Sequence, residues 1–270
     1  MILEDFSPQA LALANEANFV EFGLLRRAWR GCEVYEEPEM ISMVTKIPAA
    51  FINRIFRARL QADTVDTGIE KALTRFKANG VPCLWYVGPT TTPNDFGKRL
   101  EAHGFVHIGD QPGMAIDLHS LNGHFPSPLE IKPVRNVNQL KEASRVPVSA
   151  FGEPGFIADA MLDMMSSFGF DPDASVQTYC GYLGGEPVAV SSIFYGAGVA
   201  GIYNVATLPE ARRKGFGTAM VAAPLREARQ KGYRVGILQS SEMGYGVYQK
   251  MGFQENCKMN LYVWQPGRVI

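Results

Sequence analysis

The sequence predicts an α+β protein made of two related halves, each of β-strands flanked by helices. Runs rich in β-branched and aromatic residues alternate with helical stretches. The order of elements at the end of the chain repeats in its first half, and a turn-rich segment separates the two. At 270 residues, 46% hydrophobic and 20% charged, the chain suits one large domain or two small ones.

In the first half, Val81 to Val87 reads as a strand, Asn94 to His103 as a helix and Met114 to Leu118 as a final strand, with Gly104-Phe105 before it. The second half runs in the same order: strand 233–239, a helix, Gly252-Phe253, strand 259–264. Further back, Asn53 to Leu60 and Ile69 to Ala78 are the counterparts of a strand near Gly201–Ala206 and a helix over Thr218–Lys231. His119 to Pro128 is turn chemistry throughout. The expected domains are therefore residues 1–120 and 129–270, joined by a linker at 121–128. Leu129 to Val134 reads as the opening strand of the second domain, followed by a helix near Val137 to Arg145.

Composition narrows the function. A net charge of −1 is not that of a general nucleic-acid or membrane-surface binder, and no apolar stretch approaches the ~20 residues that span a bilayer. Glu4 and Asp5 stand where a secretory leader would be cationic and then apolar. Cys32, Cys83, Cys180 and Cys257 lack paired spacing, so a reducing cytoplasm is the expected compartment. His103 and His107 are four apart, but Gly104-Phe105 between them marks a helix end, and no metal site is expected.

The most informative segment is Arg212-Arg213-Lys214-Gly215-Phe216-Gly217, between a hydrophobic strand and a helix. Glycines let a ligand approach the backbone, and the first-turn N–H groups of a helix favour an anion. Strand, cationic Gly-rich turn and helix N-terminus together make a phosphate cradle. The segment lacks the Gly-Lys-Ser/Thr ending of the triphosphate loop, and Met220 replaces the third glycine of the dinucleotide fingerprint. Val205 and Pro209 precede Arg212 by seven and three residues, and Tyr248-Gln249-Lys250-Met251-Gly252-Phe253 lies downstream.

These motifs resemble the R/Q-x-x-G-x-G/A loop, its V-x-x-x-P-x-x-R lead-in and the Y-x-x-x-G-F signature of the GNAT superfamily of N-acetyltransferases, over about residues 128–264. The first half resembles the degenerate repeat of a tandem GNAT. Gln61 to Gly68, at the cradle position, has one glycine and carries Asp63 and Asp66, which would repel a pyrophosphate. The resemblance implies a splayed mixed sheet with acetyl-CoA or another acyl-CoA as co-substrate. It implies that the backbone of Val205, Ala206 and Thr207 holds pantetheine, and that residues 213–218 (Arg213, Lys214, Gly215, Phe216, Gly217, Thr218) hold the pyrophosphate. The side chains of Arg212, Arg213 and Lys214 would add charge. Ser241 stands where many relatives carry Asn at the cofactor site.

The implied reaction is direct attack of an amine on the thioester. An N–H near Ala206 would stabilise the oxyanion, Tyr248 would protonate the leaving thiolate, and Tyr245 is held in reserve. The strand before the cradle carries no acid, leaving Glu153, Tyr203 through water, or solvent as base. Between Arg145 and Arg212 there is no Lys or Arg but there are seven acids, where composition alone would place about six cations. The expected acceptor is thus a small amine, with a cationic one favoured. Two other functions compete: a non-catalytic acyl-CoA binding module whose first half docks a partner, and an aminoacyl or peptide-bond-forming transferase.

Overall fold

The computed structural model describes residues 2–121, 125 and 127–267; of the expected linker, Asn122, Gly123, His124 and Pro126 lie outside the described residues. The chain opens with α1 (Pro8–Leu24), β1 (Glu33–Glu36), β2 (Ile41–Val44), β3 (Arg54–Phe56) and α2 (Val65–Asn79). It continues through β4 (Cys83–Val87), α3 (Phe96–Ala102), β5 (Val106–Asp117) and β6 (Glu130–Pro133). Next come α4 (Val137–Phe151), α5 (Gly155–Ser167), β7 (Val176–Leu183), β8 (Glu186–Gly196) and β9 (Val199–Thr207). It closes with α6 (Phe216–Gln230), β10 (Val235–Gln239), α7 (Glu242–Met251) and β11 (Gln254–Trp264).

Two compact units result, and neither is contiguous in sequence. One is Met1–Phe22 with Gly113–Asn256; the other is Gly23–Pro112 with Cys257–Ile270. This division departs from a cut at 121–128, for a topological reason. The end of β5 pairs antiparallel with β10 (Ile116 with Gly236), while the end of β11 pairs antiparallel with β4 (Tyr262 with Trp85). Each repeat's last strand thus completes the sheet of the other repeat.

In the first unit, β6, β7, β8 and β9 form an antiparallel series and β9 pairs parallel with β10. Gly184 and Gly185, both left-handed, make the two-residue turn that joins β7 to β8. One sheet face packs under α6, where Met220, Val221, Leu225 and Ala228 meet Met114, Ile202 and Leu238. On α4, Leu140, Ala143 and Val146 pack with Cys180, Val190 and Ala206. Pro224 lies inside α6 and cannot donate to Met220 O four residues back. The Ser191 hydroxyl donates to that carbonyl instead, at 2.7 Å and fully buried, so the break in the helix ladder is satisfied from the sheet.

In the second unit, β1, β2 and β3 are antiparallel and β3 runs parallel to β4. Trp85 is fully buried against Phe96 and Phe105, with Ile69, Leu73 and Phe76 of α2 in the same core. The repeated order strand, helix, strand, helix, strand is present in both halves as the sequence predicts.

Candidate active site

The site is built where β9 and β10 part. Their parallel pairing runs Gly236 with Ala200, Ile237 with Gly201 and Leu238 with Ile202, and there it stops. β9 continues five residues further, to Thr207. On its other edge it stays paired with β8, through a register shift at which Asn204 adopts a left-handed conformation (φ 53°). Leu208 N–H bonds Val188 O at 3.0 Å, and alternate residues of a ladder face the same way, so Ala206 N–H also faces β8. The amides that face the open edge are those of Val205 and Thr207. Of the backbone groups expected to hold pantetheine, the Ala206 N–H is thus turned towards β8.

Beyond β9, Pro209–Ala211 make a single 3₁₀ turn and the chain enters the cradle. Arg213 (φ 62°) and Gly215 (φ 79°) are both left-handed, a backbone form that gathers successive N–H groups on one side. Gly215 is the N-cap of α6 and offers no side-chain cap. The first bond into the helix runs from Ala219 N–H to Gly215 O at 3.1 Å, so the N–H groups of Phe216, Gly217 and Thr218 have no carbonyl within the helix. A Cβ on Gly217 would meet only Thr207 Oγ1, at 3.8 Å, so the space before these amides is open. The Phe216 side chain is buried and anchors the helix in the core. Backbone and glycines therefore fit a pyrophosphate.

The three cations divide. Arg213 and Lys214 are exposed beside the cradle. The Arg212 guanidinium is instead bonded to two carbonyls, Thr207 O (Nε, 3.3 Å) and Ala150 O (Nη2, 2.9 Å). It ties the end of α4 to the end of β9.

Tyr248 sits three residues before the end of α7, which closes with Gly252 in the left-handed form (φ 101°). Phe253 N–H reaches back to Tyr248 O at 3.0 Å, and Gly252 N–H to Gln249 O at 3.0 Å, the double bond pattern of a Schellman cap. The Phe253 ring meets the Tyr248 ring edge-on, centroids 6.0 Å apart. Val205, Tyr245 and Tyr248 pack against one core cluster that includes Phe216, Met251 and Phe253. Burial pushes the Tyr248 phenol above its ordinary value, so it stays protonated at neutral pH, and no described side chain bonds its hydroxyl. Tyr245 donates to Glu255 Oε2 at 2.9 Å, and that bond, with its partner's charge, also raises its pKa. Ser241 is exposed and caps α7, accepting from Gly244 N–H at 3.3 Å.

Of the candidate bases, Tyr203 is buried and donates to Asn18 Oδ1 at 2.6 Å, which commits its proton inside the protein. Glu153 is half-buried in the turn between α4 and α5. The cation-free stretch spreads its acids out: Asp159 and Asp163 on α5, Asp171 and Asp173 before β7, Glu186 at a hairpin and Glu210 after β9, all exposed. Among the described residues, no three His, Cys, Asp or Glu side chains are grouped to hold a metal ion, and no helix is long and apolar enough to cross a membrane.

The corresponding fork in the second unit is closed by its own chain. Thr92 N–H bonds Ala58 O at 3.0 Å and Leu60 N–H bonds Thr92 O at 3.2 Å, filling the edge that β9 leaves open. At the N-terminus of α2, Asp66 is held by Arg99 (2.6 Å) and His103 (3.0 Å), and His103 also meets Glu70 at 2.8 Å. These histidine contacts are the first cause of the lowered pKa of both carboxylates.

Residues 146–253 match the family model of the acetyltransferase (GNAT) family. They form a GNAT acetyltransferase domain. The whole chain has the fold of tandem GNAT proteins. A GCN5-related N-acetyltransferase from Kribbella flavida superposes with a TM-score of 0.68 at 17% identity, over 93% of this chain and 96% of that one. A GCN5-related N-acetyltransferase from Sphaerobacter thermophilus gives 0.60 at 18% identity, over 97% and 94%. A tandem GNAT protein from the clavulanic acid biosynthesis pathway gives 0.60 at 15% identity, over 100% and 98%. No curated protein matches the sequence.

The helix α1 was not legible as part of this unit. Its signals were Ser7 and Pro8 at the helix start, where Ser7 Oγ accepts from Ala10 N–H at 3.3 Å.

Proposed function

We propose that the chain is an acetyl-CoA-dependent N-acetyltransferase acting on a small amine in a ternary complex. The observation that carries this is the open edge of β9 beyond Ile202, which leads directly into a glycine-lined helix N-terminus. Pantetheine adds to that edge as a short extra strand on Val205 and Thr207, and the pyrophosphate lies on the amides of residues 216–218. Arg213 and Lys214 supply charge to the phosphates.

The amine lone pair attacks the thioester carbonyl, whose oxygen takes the negative charge and accepts from Val205 N–H. The intermediate collapses with loss of the coenzyme A thiolate, which takes the Tyr248 phenol proton. The nitrogen's extra proton leaves to solvent or to Glu153. Thr207 O is already engaged by Arg212, so that part of the edge is held straight before the substrate arrives.

The acceptor class follows from charge. A stretch of 66 residues without a cation favours a positively charged amine over an anionic one, although its acids lie on several elements. The test is thiol release from acetyl-CoA across matched cationic and anionic amines at low and high salt. Turnover with a salt-sensitive preference for the cationic amine supports the reading. Binding of acetyl-CoA without turnover on any amine marks a binding module instead.

A further inference from the structure

The fork is braced from an unexpected place. α1, at the far N-terminus, lies in the same compact unit as the cradle. It buries two amides, Asn15 and Asn18, both fully inaccessible to solvent. Asn15 Nδ2 donates to Leu238 O at 3.4 Å and to Met114 O at 3.2 Å, and Asn15 Oδ1 accepts from Gln239 Nε2 at 2.7 Å. Leu238 is the last residue of β10 that pairs with β9. Asn18 Oδ1 accepts the Tyr203 hydroxyl at 2.6 Å, and Asn18 Nδ2 donates to Gly196 O at 2.8 Å. Tyr203 is the first residue of β9 past the last pair. Phe22 of α1 stacks on its ring, with centroids 4.0 Å apart.

Gly201 shows how closely the helix is set. A Cβ there would fall 2.1 Å from Asn18 Oδ1 and 3.0 Å from the Tyr203 hydroxyl. The strand gives up its side chain so that the amide of α1 can occupy that space. Buried amides with several partners in fixed geometry cost much to disturb, because any loosened group is left unsatisfied.

We infer that α1 sets the opening of the acyl-CoA fork: Asn15 fixes the end of β10, and Asn18, through Tyr203, fixes β9 one residue before its bulge. Asn15, Asn18 and Tyr203 are positioning residues for the pantetheine edge, and the N-terminal helix is part of the cofactor site. This rests on the proposed acetyl-CoA reading. Because the fork is shared, acetyl-CoA binding and docking of α1 must favour one another.

The experiment combines Tyr203→Phe with hydrogen exchange. The substitution removes the hydroxyl bond and keeps the ring stack. Its acetyl-CoA Kd, by calorimetry, should rise about tenfold, the size of one net hydrogen bond, with KM for the amine unchanged. In the unsubstituted protein, amides of α1 should gain more protection on addition of acetyl-CoA than amides of α2, a local effect beyond the general stabilisation that any ligand gives. Equal acetyl-CoA affinity in Tyr203→Phe, or α1 protection that rises no more than that of α2, overturns this inference alone. An unsubstituted protein that binds no acetyl-CoA overturns the site reading and this inference with it.

Discussion

Gly217→Asp separates the backbone cradle from every other account of acetyl-CoA binding. Gly217 lies in the first turn of α6, and its added Cβ meets only Thr207 Oγ1, at 3.8 Å, so the fold accepts the side chain. A helix gains from replacing glycine, and an acid in the first turn faces the favourable end of the dipole, so thermal stability should hold or rise. The ligand fares otherwise. A carboxylate ~4 Å from a phosphate costs about 4 kcal/mol per unit charge at an effective dielectric near 20. Halving that for solvent exposure leaves about 2 kcal/mol, or ~30-fold in Kd, before any steric loss. The control is Thr67→Asp, which puts the same charge on an exposed position in the first turn of α2. Gly68 cannot serve, because a Cβ there would lie 2.8 Å from the Leu60 methyls. Calorimetry should give one acetyl-CoA per chain, a large loss for Gly217→Asp and none for Thr67→Asp. An unchanged Kd in a folded Gly217→Asp protein, or equal losses in both, would refute the cradle.

Four further outcomes are expected. Tyr248→Phe should lower kcat by roughly 10²–10⁴-fold with little change in acetyl-CoA affinity, measured by thiol release at saturating amine. Because burial raises the Tyr248 pKa, the acid limb it supplies should persist up to and beyond the ordinary phenol range in a pH–kcat profile. Ser191→Ala should cost about 1–3 kcal/mol in urea unfolding, because Met220 O is left buried without a donor. Asp66 and Glu70 have depressed pKa values, so their contribution to stability is present above the ordinary carboxylate range and lost as pH falls through the folded values. His103→Gln should therefore move acid unfolding, followed by circular dichroism, to higher pH.

Much of the second half was legible because its signals are local. Gly215, Gly217 and Gly252 occupy positions where glycine is needed for the backbone form or for ligand approach, and the strands on either side are continuous hydrophobic runs. What was not legible depends on partners distant in sequence. Arg212 reads as a phosphate ligand until its bonds to Ala150 and Thr207 are seen. The direction of the Ala206 amide depends on strand register, which no motif records. α1 is not legible because Asn15 and Asn18 put polar residues on its buried face, which blurs the apolar stripe that marks a helix. The exchange of final strands is not legible because the final strands of two similar repeats are equally suited to either sheet, and local pattern cannot choose between them.

That exchange of final strands reaches into how the protein is made. β4 finds its antiparallel neighbour in β11, some 180 residues later, so the sheet of the first repeat stays incomplete until β11 has been synthesised. β10 must in turn recruit β5 from the earlier repeat, while α1 waits for β8, β9 and β10, all later in the chain, before its amides find partners. Contacts of such long range make folding slow and expose unpaired edges on the nascent chain. The two repeats are bound into one folding event, in which the half without a cradle supplies a strand to the sheet of the half that has one.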